Sequence, residues 1–265
     1  MIWRIGESSI IRILISLLLC SLGFVGTAAL AAVATTFAED VGYAVLQAEL
    51  GAAVPDGAGM TVTIVEVCAG DPCVWAPDPG SRSIIDGDGG AQVSGPFSGH
   101  ANSVGYRFFG DGSTTPAIGV PPNPSISAYE ANAWMQSDFL RFGQARSLPL
   151  STASRIANHS WVGATGFDAY DLDLLRRMDW LIDEDEYVQV VGFTGNSSPL
   201  FGSALNAIAV NKTGTLSSNL SWPVTGDPVY SVRHARPALV APENNTSNAA
   251  PRVSSAAALL MSVAH

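Results

Sequence analysis

The chain has 265 residues, which is long enough for one sizeable domain with a well-formed core. Only 14% of the residues are charged, and 26 glycines and 16 prolines indicate a compact protein rich in turns, which excludes a coiled coil and a largely disordered chain. The 23 acidic and 13 basic residues give a formal net charge of −10. This charge argues against a nucleic-acid partner, because such a partner requires a basic face.

Residues 1–38 differ from the rest of the chain. Arg4 and Arg12 precede an almost wholly apolar stretch, 13–33, which ends in small residues such as Ala29-Leu30-Ala31. A basic region, an apolar region and a small-residue exit are typical of a secretory signal peptide. The apolar stretch is also long enough to span a bilayer, so the alternative is a retained membrane anchor. Either interpretation predicts an extracytoplasmic protein, secreted or periplasmic, whose membrane contact is confined to this segment.

Strands and helices are predicted to alternate along residues 39–265. Hydrophobic periodicity predicts helices over 40–50, 100–109, 131–142, 172–183 and after Thr246, and strands over 61–67, 125–128, 156–162, 187–193 and 207–210. Residues 76–95, rich in Pro, Gly, Asp and Ser, are predicted to form a loop. Such alternation indicates βαβ units, and therefore an α/β fold of three layers with a mainly parallel central sheet covered by helices. In these folds, sites form at the carboxyl ends of the strands.

Three cysteines occur, of which Cys20 lies in the N-terminal apolar stretch. Cys68 and Cys73 lie close together, and in an exported protein such a pair is a candidate for a small-loop disulfide. Zinc binding is disfavoured because no second pair of Cys or His lies at zinc-ligand spacing. We expect neither a metal ion nor another cofactor.

A candidate nucleophile lies near the C-terminus. The segment Thr246-Ser247-Asn248-Ala249-Ala250-Pro251 directly precedes a run of strong helix formers. A serine at a helix start lies near unpaired backbone N–H groups and the positive end of the helix dipole, which stabilise negative charge as an acyl-transfer site requires. The alternative is that Thr246 or Ser247 is an ordinary helix cap, as Ser and Thr often are. A catalytic role also requires a base, an acid and an oxyanion donor.

Three other residues offer these groups. His100 follows Gly99 at a predicted helix start and is a candidate general base, with a purely structural histidine as the alternative. Glu66 ends an apolar strand, where a carboxylate is costly unless it is exposed or paired; it is a candidate acceptor for the Nδ1–H of His100, or else a solvated acid. Asn196 follows the strand predicted over 187–193 and is a candidate oxyanion donor, or else part of a Gly-Asn turn.

Together these stretches resemble the subtilisin-like serine peptidases, or subtilases. Four segments show the resemblance: Gly99-His100-Ala101-Asn102-Ser103-Val104, Val190 to Asn196, Asn158-His159-Ser160-Trp161-Val162-Gly163, and Arg236 to Pro242 followed by Thr246 to Pro251. These segments are similar to the histidine motif, the oxyanion strand, the substrate-binding strand and the serine motif of the family. The order acid, histidine, asparagine, serine is also that of the family.

The resemblance implies a subtilisin-like fold and an exported endopeptidase that hydrolyses polypeptides through an acyl-enzyme. In this interpretation Ser247 is the nucleophile, His100 the general base and Glu66 the orienting acid. Asn196 donates to the oxyanion. The segment containing Ser160, Trp161 and Gly163 holds the substrate backbone by β-augmentation.

The sequence also departs from the family pattern. Glu66 stands where most subtilases carry Asp, so contact with His100 requires a displaced backbone or rotamer. Residues 242–246 form a short segment without the glycine that usually precedes Thr-Ser, Arg252 stands near the position of a common histidine, and the domain is expected to be short at its C-terminus. These departures favour a second hypothesis, a catalytically silent subtilase-fold protein with a binding or structural role. A lipase-like hydrolase is disfavoured because no Gly-x-Ser-x-Gly elbow occurs.

Overall fold

The structure is a computed structural model, and it describes residues 39, 42–57, 59–110, 125–144, 146–194, 200–213, 225–226 and 235–264. All of them belong to one compact unit that spans Thr35–His265. The segment 1–38, predicted to be a signal or an anchor, lies outside the described residues. Within the described ranges, no helix combines the length and the apolar character that crossing a membrane requires.

Seven strands form a single parallel sheet. In chain order they are β1 Thr61–Glu66, β2 Ile84–Asp86, β3 Ser125–Glu130, β4 Ile156–His159, β5 Val188–Gly192, β6 Ile208–Lys212 and β9 Leu239–Ala241, while β7 Thr225–Gly226 and β8 Ala235–Arg236 pair separately as an antiparallel ribbon. Their order across the sheet is β2-β3-β1-β4-β5-β6-β9, and every neighbouring pair is parallel. The predicted α/β class with a parallel central sheet is therefore confirmed.

Helices cover both faces of this sheet. They are α1 Tyr43–Leu50, α2 Gly99–Phe108, α3 Ala131–Ala133, α4 Asp168–Asp185 and α5 Thr246–Ala264. On one face, Val62 and Ile64 of β1 share a core cluster with residues of α2 and α5; on the other, Val65 shares a cluster with the apolar side of α4. Because successive strand residues point to opposite faces, a single β-branched strand such as β1 contributes to both cores.

Two local predictions were wrong. Residues 76–95, predicted to be loop, contain β2, which forms because it pairs with β3 and buries Ile84. The strand is short and a glycine-rich turn follows it, so the local sequence did not indicate a strand. Gly87 is required in that turn, since a Cβ there would collide with the Tyr129 ring. The helix predicted over 131–142 is only α3 followed by a π-helical turn, Trp134–Asp138. It ends where the Leu140 N–H donates to the Trp134 carbonyl.

The sheet order reverses at β1, and this positions the candidate site. The chain passes from β1 to β2 and β3 on one side and then returns to β4 on the other side. In parallel sheets, a crevice opens at the carboxyl ends of the strands at such a reversal. Glu66, His159 and Gly192 end β1, β4 and β5 at this edge.

Candidate active site

A buried carboxylate and an imidazole form the first part of the candidate site. The Glu66 side chain is only 1% exposed, whereas the side chain of His100, the second residue of α2, is 43% exposed. The two atoms His100 Nδ1 and Glu66 Oε2 are 2.7 Å apart. Because an ionised carboxylate only accepts hydrogen bonds, Nδ1 bears the proton when Glu66 is ionised, and in the neutral imidazole the lone pair is then on Nε2. The longer side chain of Glu66 therefore does reach the imidazole.

Burial and hydrogen bonding have opposing effects on this pair. Loss of solvent raises the pKa of Glu66, and the hydrogen bond and charge of His100 offset part of that rise. The hydrogen bond to Glu66 raises the pKa of His100, while partial burial lowers it. Glu66 Oε1 has no hydrogen-bond partner among the described residues, so the carboxyl group relies on His100 to compensate its burial.

Ser247 is the second residue of α5, and it does not cap that helix. Asn245 takes the capping role, because its side-chain oxygen accepts from the Asn248 N–H at 2.8 Å and its carbonyl accepts from the Ala249 N–H. The alternative in which Thr246 or Ser247 is the helix cap is therefore not what the structure contains. The Ser247 hydroxyl therefore lies at the positive end of the helix dipole and does not act as the helix cap.

Two reciprocal hydrogen bonds join Ser247 to Ser160. The Ser247 hydroxyl donates to the Ser160 carbonyl at 2.9 Å, and the Ser160 hydroxyl donates to the Ser247 carbonyl at 2.9 Å. The second bond has a cause in the sequence. Pro251 lies one helical turn after Ser247 and lacks the N–H that would otherwise bond the Ser247 carbonyl within α5. Pro251 therefore leaves a helical carbonyl free, and Ser160 satisfies it.

A buried chain of hydrogen bonds extends from this bridge into α5. The Ser254 hydroxyl donates to Asn158 Oδ1 at 3.0 Å, and Asn158 Nδ2 donates to Ser160 Oγ at 2.9 Å. Asn158 and Ser254 are fully buried, so a missing partner would be costly. Ser254 is not among the site residues predicted from the sequence. The signal for it is its position about two helical turns after Ser247, on the same side of the helix.

His100 and Ser247 line one cleft of about 310 Å³. Its remaining lining comes from the segments that follow β1, β4 and β5 and from the starts of the two helices: Val67, Ala69, Ser98, Ser160, Trp161, Val162, Gly192, Thr194 and Thr246. The predicted convergence of the polar motifs at the carboxyl edge of the sheet is therefore present for the serine, the histidine and the acid.

The other predicted site residues are placed differently. The strand predicted over 156–162 ends at His159, because the next carbonyl, that of Ser160, accepts from α5 and not from a neighbouring strand. Ser160 and Trp161 line the cleft, whereas Gly163 lies against the Trp161 ring, where a Cβ would come within 3.6 Å. Asn196, the predicted oxyanion donor, lies outside the described residues.

His159 and Cys68 lie next in sequence to residues that line the cleft. His159 is fully buried, and its Nε2–H donates to Gln189 Oε1 at 2.8 Å, so it is structural. Cys68 and Cys73 form a disulfide in the segment that follows β1. In the part of the chain that the structure describes, no group of three or more His, Cys, Asp or Glu side chains is arranged to hold a metal ion.

Comparison with known proteins shows the fold. Neither a protein-family model nor a curated protein matches the sequence. Among solved structures, the PatG macrocyclase domain matches with a TM-score of 0.50 and 15% identity, over 84% of this chain and 80% of that one. The patellamide maturation protease PatG matches at 0.49 and 15%, over 84% and 81%, and the A-subunit of the AB5 toxin from E. coli at 0.46 and 16%, over 79% and 80%. The chain therefore has the fold of the subtilisin-like proteases, as the motif resemblance predicted.

Proposed function

We propose that this protein is an exported serine endopeptidase that hydrolyses polypeptides. Ser247 is the nucleophile, His100 the general base and Glu66 the acid that orients the imidazole. The observation that supports this most directly is the 2.7 Å hydrogen bond between His100 and a carboxyl group that is 1% exposed, at a cleft that Ser247 also lines. A purely structural ion pair would not require an imidazole that is 43% exposed at a cleft that is also lined by a serine.

The chemistry begins with Ser247. Its hydroxyl rotates away from the Ser160 carbonyl and gives its proton to His100 Nε2 while the oxygen attacks the peptide carbonyl carbon. The imidazolium that forms is stabilised by Glu66 and then protonates the leaving amine as the C–N bond breaks. Water then hydrolyses the acyl-enzyme: His100 takes a proton from the water as the water oxygen bonds the acyl carbon, and it gives that proton to Ser247 Oγ as the ester bond breaks and the acid product leaves.

Substrate binding is assigned to the segment that follows β4. Val162 is 38% exposed beside the cleft, and no hydrogen bond joins the main chain of Val162 or Gly163 to another described residue. Main-chain N–H and C=O groups that bond no other described residue, in a segment that borders a cleft, suit an extended polypeptide added as a strand. The backbone N–H of Ser247 at the start of α5 and the side chain of Asn196 are the proposed oxyanion donors.

Export is proposed from the sequence of residues 1–38, with its basic start, apolar stretch and small-residue exit. Cys68 and Cys73 support it, because disulfides persist in oxidising compartments and are rare in the cytosol. A mature chain whose N-terminus lies shortly after the Ala29-Leu30-Ala31 exit, isolated from outside the cell membrane, would be the direct evidence.

One observation favours the second candidate, a silent subtilase-fold protein with a binding role. The Ser247 hydroxyl donates to the Ser160 carbonyl and not to His100. In an active enzyme this is a resting rotamer, since catalytic hydrogen bonds often tighten only when substrate binds. In a silent protein it is the permanent state. The two candidates therefore differ in whether Ser247 can be made to react.

The test is labelling of the purified protein by a fluorophosphonate, followed by identification of the modified residue. We expect Ser247 to be labelled, Ser247→Ala to abolish labelling, and His100→Ala to slow it by roughly 10²–10⁴-fold. Ser262→Ala, at the far end of α5 where the hydroxyl bonds the Leu259 carbonyl, is the matched control and should label normally. A folded wild-type protein that is not labelled at Ser247 would exclude the peptidase and leave the binding protein.

A further inference from the structure

The proposed nucleophile and base are held on two different helices, α5 and α2, which are far apart in the sequence. A misplacement of about 1 Å between reacting groups costs roughly 10²-fold in rate, so their relative position has to be fixed. Ser103 of α2 and Asn248 of α5 make one direct side-chain contact, with the Ser103 hydroxyl donating to Asn248 Oδ1 at 3.3 Å. This long hydrogen bond between short side chains is a weak fixing point.

A stronger connection lies next to it. The Glu243 side chain is only 7% exposed, and its Oε1 accepts from Nε of Arg107 at 2.9 Å and from Nε of Arg252 at 2.6 Å. Arg107 belongs to α2 and Arg252 to α5, while Glu243 precedes the helix that bears Ser247. One carboxylate oxygen therefore ties together both helices and the loop that leads into the nucleophile.

The same cluster also supports the direct contact between the helices. Arg107 Nη1 donates to the Ser103 carbonyl at 3.0 Å and to the Ser103 hydroxyl at 2.8 Å. Ser103 in turn donates to Asn248, whose N–H is the one capped by Asn245. A continuous path of hydrogen bonds thus runs from Glu243 through α2 and back to the first turn of α5.

The loop before α5 is held at three consecutive residues. Glu243 accepts from the two arginines, the Asn244 carbonyl accepts from Lys212 Nζ at 2.7 Å, and Asn245 caps the helix. Side-chain contacts therefore fix this loop where the related motif uses a glycine. The two departures that the sequence showed here, the missing glycine and Arg252, belong to one structural arrangement.

We infer that Glu243, with Arg107 and Arg252, is a positioning group that sets the geometry between His100 and Ser247. The inference rests on the proposed function for its kinetic consequences. The carboxylate does not touch the cleft, since Glu243 is not among the residues that line it. It acts through the two helices and takes no part in bond making or proton transfer.

The test is Glu243→Gln, which keeps the size of the side chain and removes the charge that holds two guanidinium groups together. We expect fluorophosphonate labelling of Ser247 and kcat for a peptide substrate to fall at least tenfold, as a displacement of a fraction of an ångström would cause. KM should change less than twofold, because the proposed substrate-binding segment follows β4. The pH dependence should keep its midpoint, because the pair formed by His100 and Glu66 is untouched.

The matched control is Glu186→Gln, which removes the carboxylate of an exposed ion pair with Arg155 elsewhere on the domain. It should label and turn over as the wild type does. All rates are taken well below the unfolding midpoint of each variant, so that loss of folded protein does not contribute. If Glu243→Gln does not fold, Arg107→Lys keeps the charge, loses the two-nitrogen contact to Glu243 and Ser103, and is measured in the same way.

Hydrogen exchange gives a readout that does not depend on activity. Loss of the positioning group should speed amide exchange at the first turns of α2 and α5, while α4 and the Glu186→Gln control remain unchanged. Wild-type rates and wild-type exchange in Glu243→Gln would overturn the inference. A wild-type protein without labelling would instead overturn the proposed peptidase, and the exchange pattern would still decide the role of Glu243.

Discussion

The buried His159 provides a quantitative prediction for the acid stability of this fold. It ends β4, and its ring lies 4.9 Å from the Trp134 ring and 5.5 Å from the Phe201 ring, measured between centroids. Burial lowers the pKa of His159 from 6.5 to about 4, and the hydrogen bond with Gln189 offsets only part of this. The folded protein therefore keeps this histidine neutral where an unfolded chain would protonate it.

The sign and size of the effect follow from linkage. Above pH 6.5 neither state binds the proton, and the full stability is present. Between pH 6.5 and pH 4, His159 is protonated in the unfolded chain but stays neutral in the folded chain. The free energy of unfolding therefore decreases by about 1.4 kcal/mol per pH unit as the pH falls through this range. The loss between pH 7 and pH 4 is about 3 kcal/mol, a large part of the stability of a typical domain.

The assay is urea unfolding at several pH values from about 7 down to about 4, on the wild type and on His159→Gln. The glutamine does not titrate and can still donate to Gln189. The variant therefore removes the protonation of residue 159 while it keeps the hydrogen bond. It should be less stable at pH 7, because aromatic contacts are lost, but its stability should fall less steeply with acid. Parallel curves for the two proteins would refute the buried neutral histidine as a source of acid sensitivity.

Three further predictions concern the cleft and its supports. Glu66→Gln should slow labelling of the nucleophile by roughly 10³–10⁴-fold and move the acid limb of the rate profile to lower pH, because the hydrogen bond that raises the pKa of His100 loses its charge; an unmoved limb would contradict this role. Cys68→Ser with Cys73→Ser should lower the free energy of unfolding by about 2 kcal/mol, as expected for a short closed loop, and equal urea midpoints for the two proteins would argue against it. Ser254→Ala should cost about 1–3 kcal/mol in thermal unfolding, because it leaves a buried carboxamide oxygen of β4 without its donor, and a loss no larger than that of a surface serine would count against the buried chain.

Local patterns in the sequence predicted the elements that bear the site. The β-branched run in β1 and the apolar side of α4 were recognised because burial repeats at the period of each element. The prediction was least accurate where a neighbour decides the conformation. β2 is short and glycine-rich beyond its end, and only pairing with β3 makes it a strand.

The roles of the polar residues likewise depend partly on local sequence and partly on neighbours that are distant in the chain. The sequence placed Ser247 at a helix start, but it offered Thr246 and Ser247 as caps and did not single out Asn245, since all three are good capping residues. The choice depends on where the chain enters α5, and Glu243 fixes that through arginines from two helices. The sequence does not show whether the longer side chain of Glu66 can contact His100 where most subtilases carry Asp. In the structure, Glu66 Oε2 lies 2.7 Å from His100 Nδ1.

The α/β class, the parallel sheet and the chain order of the acid, histidine and serine motifs were all predictable from the sequence. These depend on short-range periodicity and on residue types that do not change with context. Three contacts could be read only from the folded chain: His100, bonded to the buried Glu66, lines the same cleft as Ser247; Ser160 satisfies the carbonyl that Pro251 leaves free; and Glu243 joins α2 to α5. Such contacts join residues far apart in the chain, so the choice of partner follows from how the helices pack on the sheet, even where one segment, such as the turn before Pro251, shows that a partner is needed.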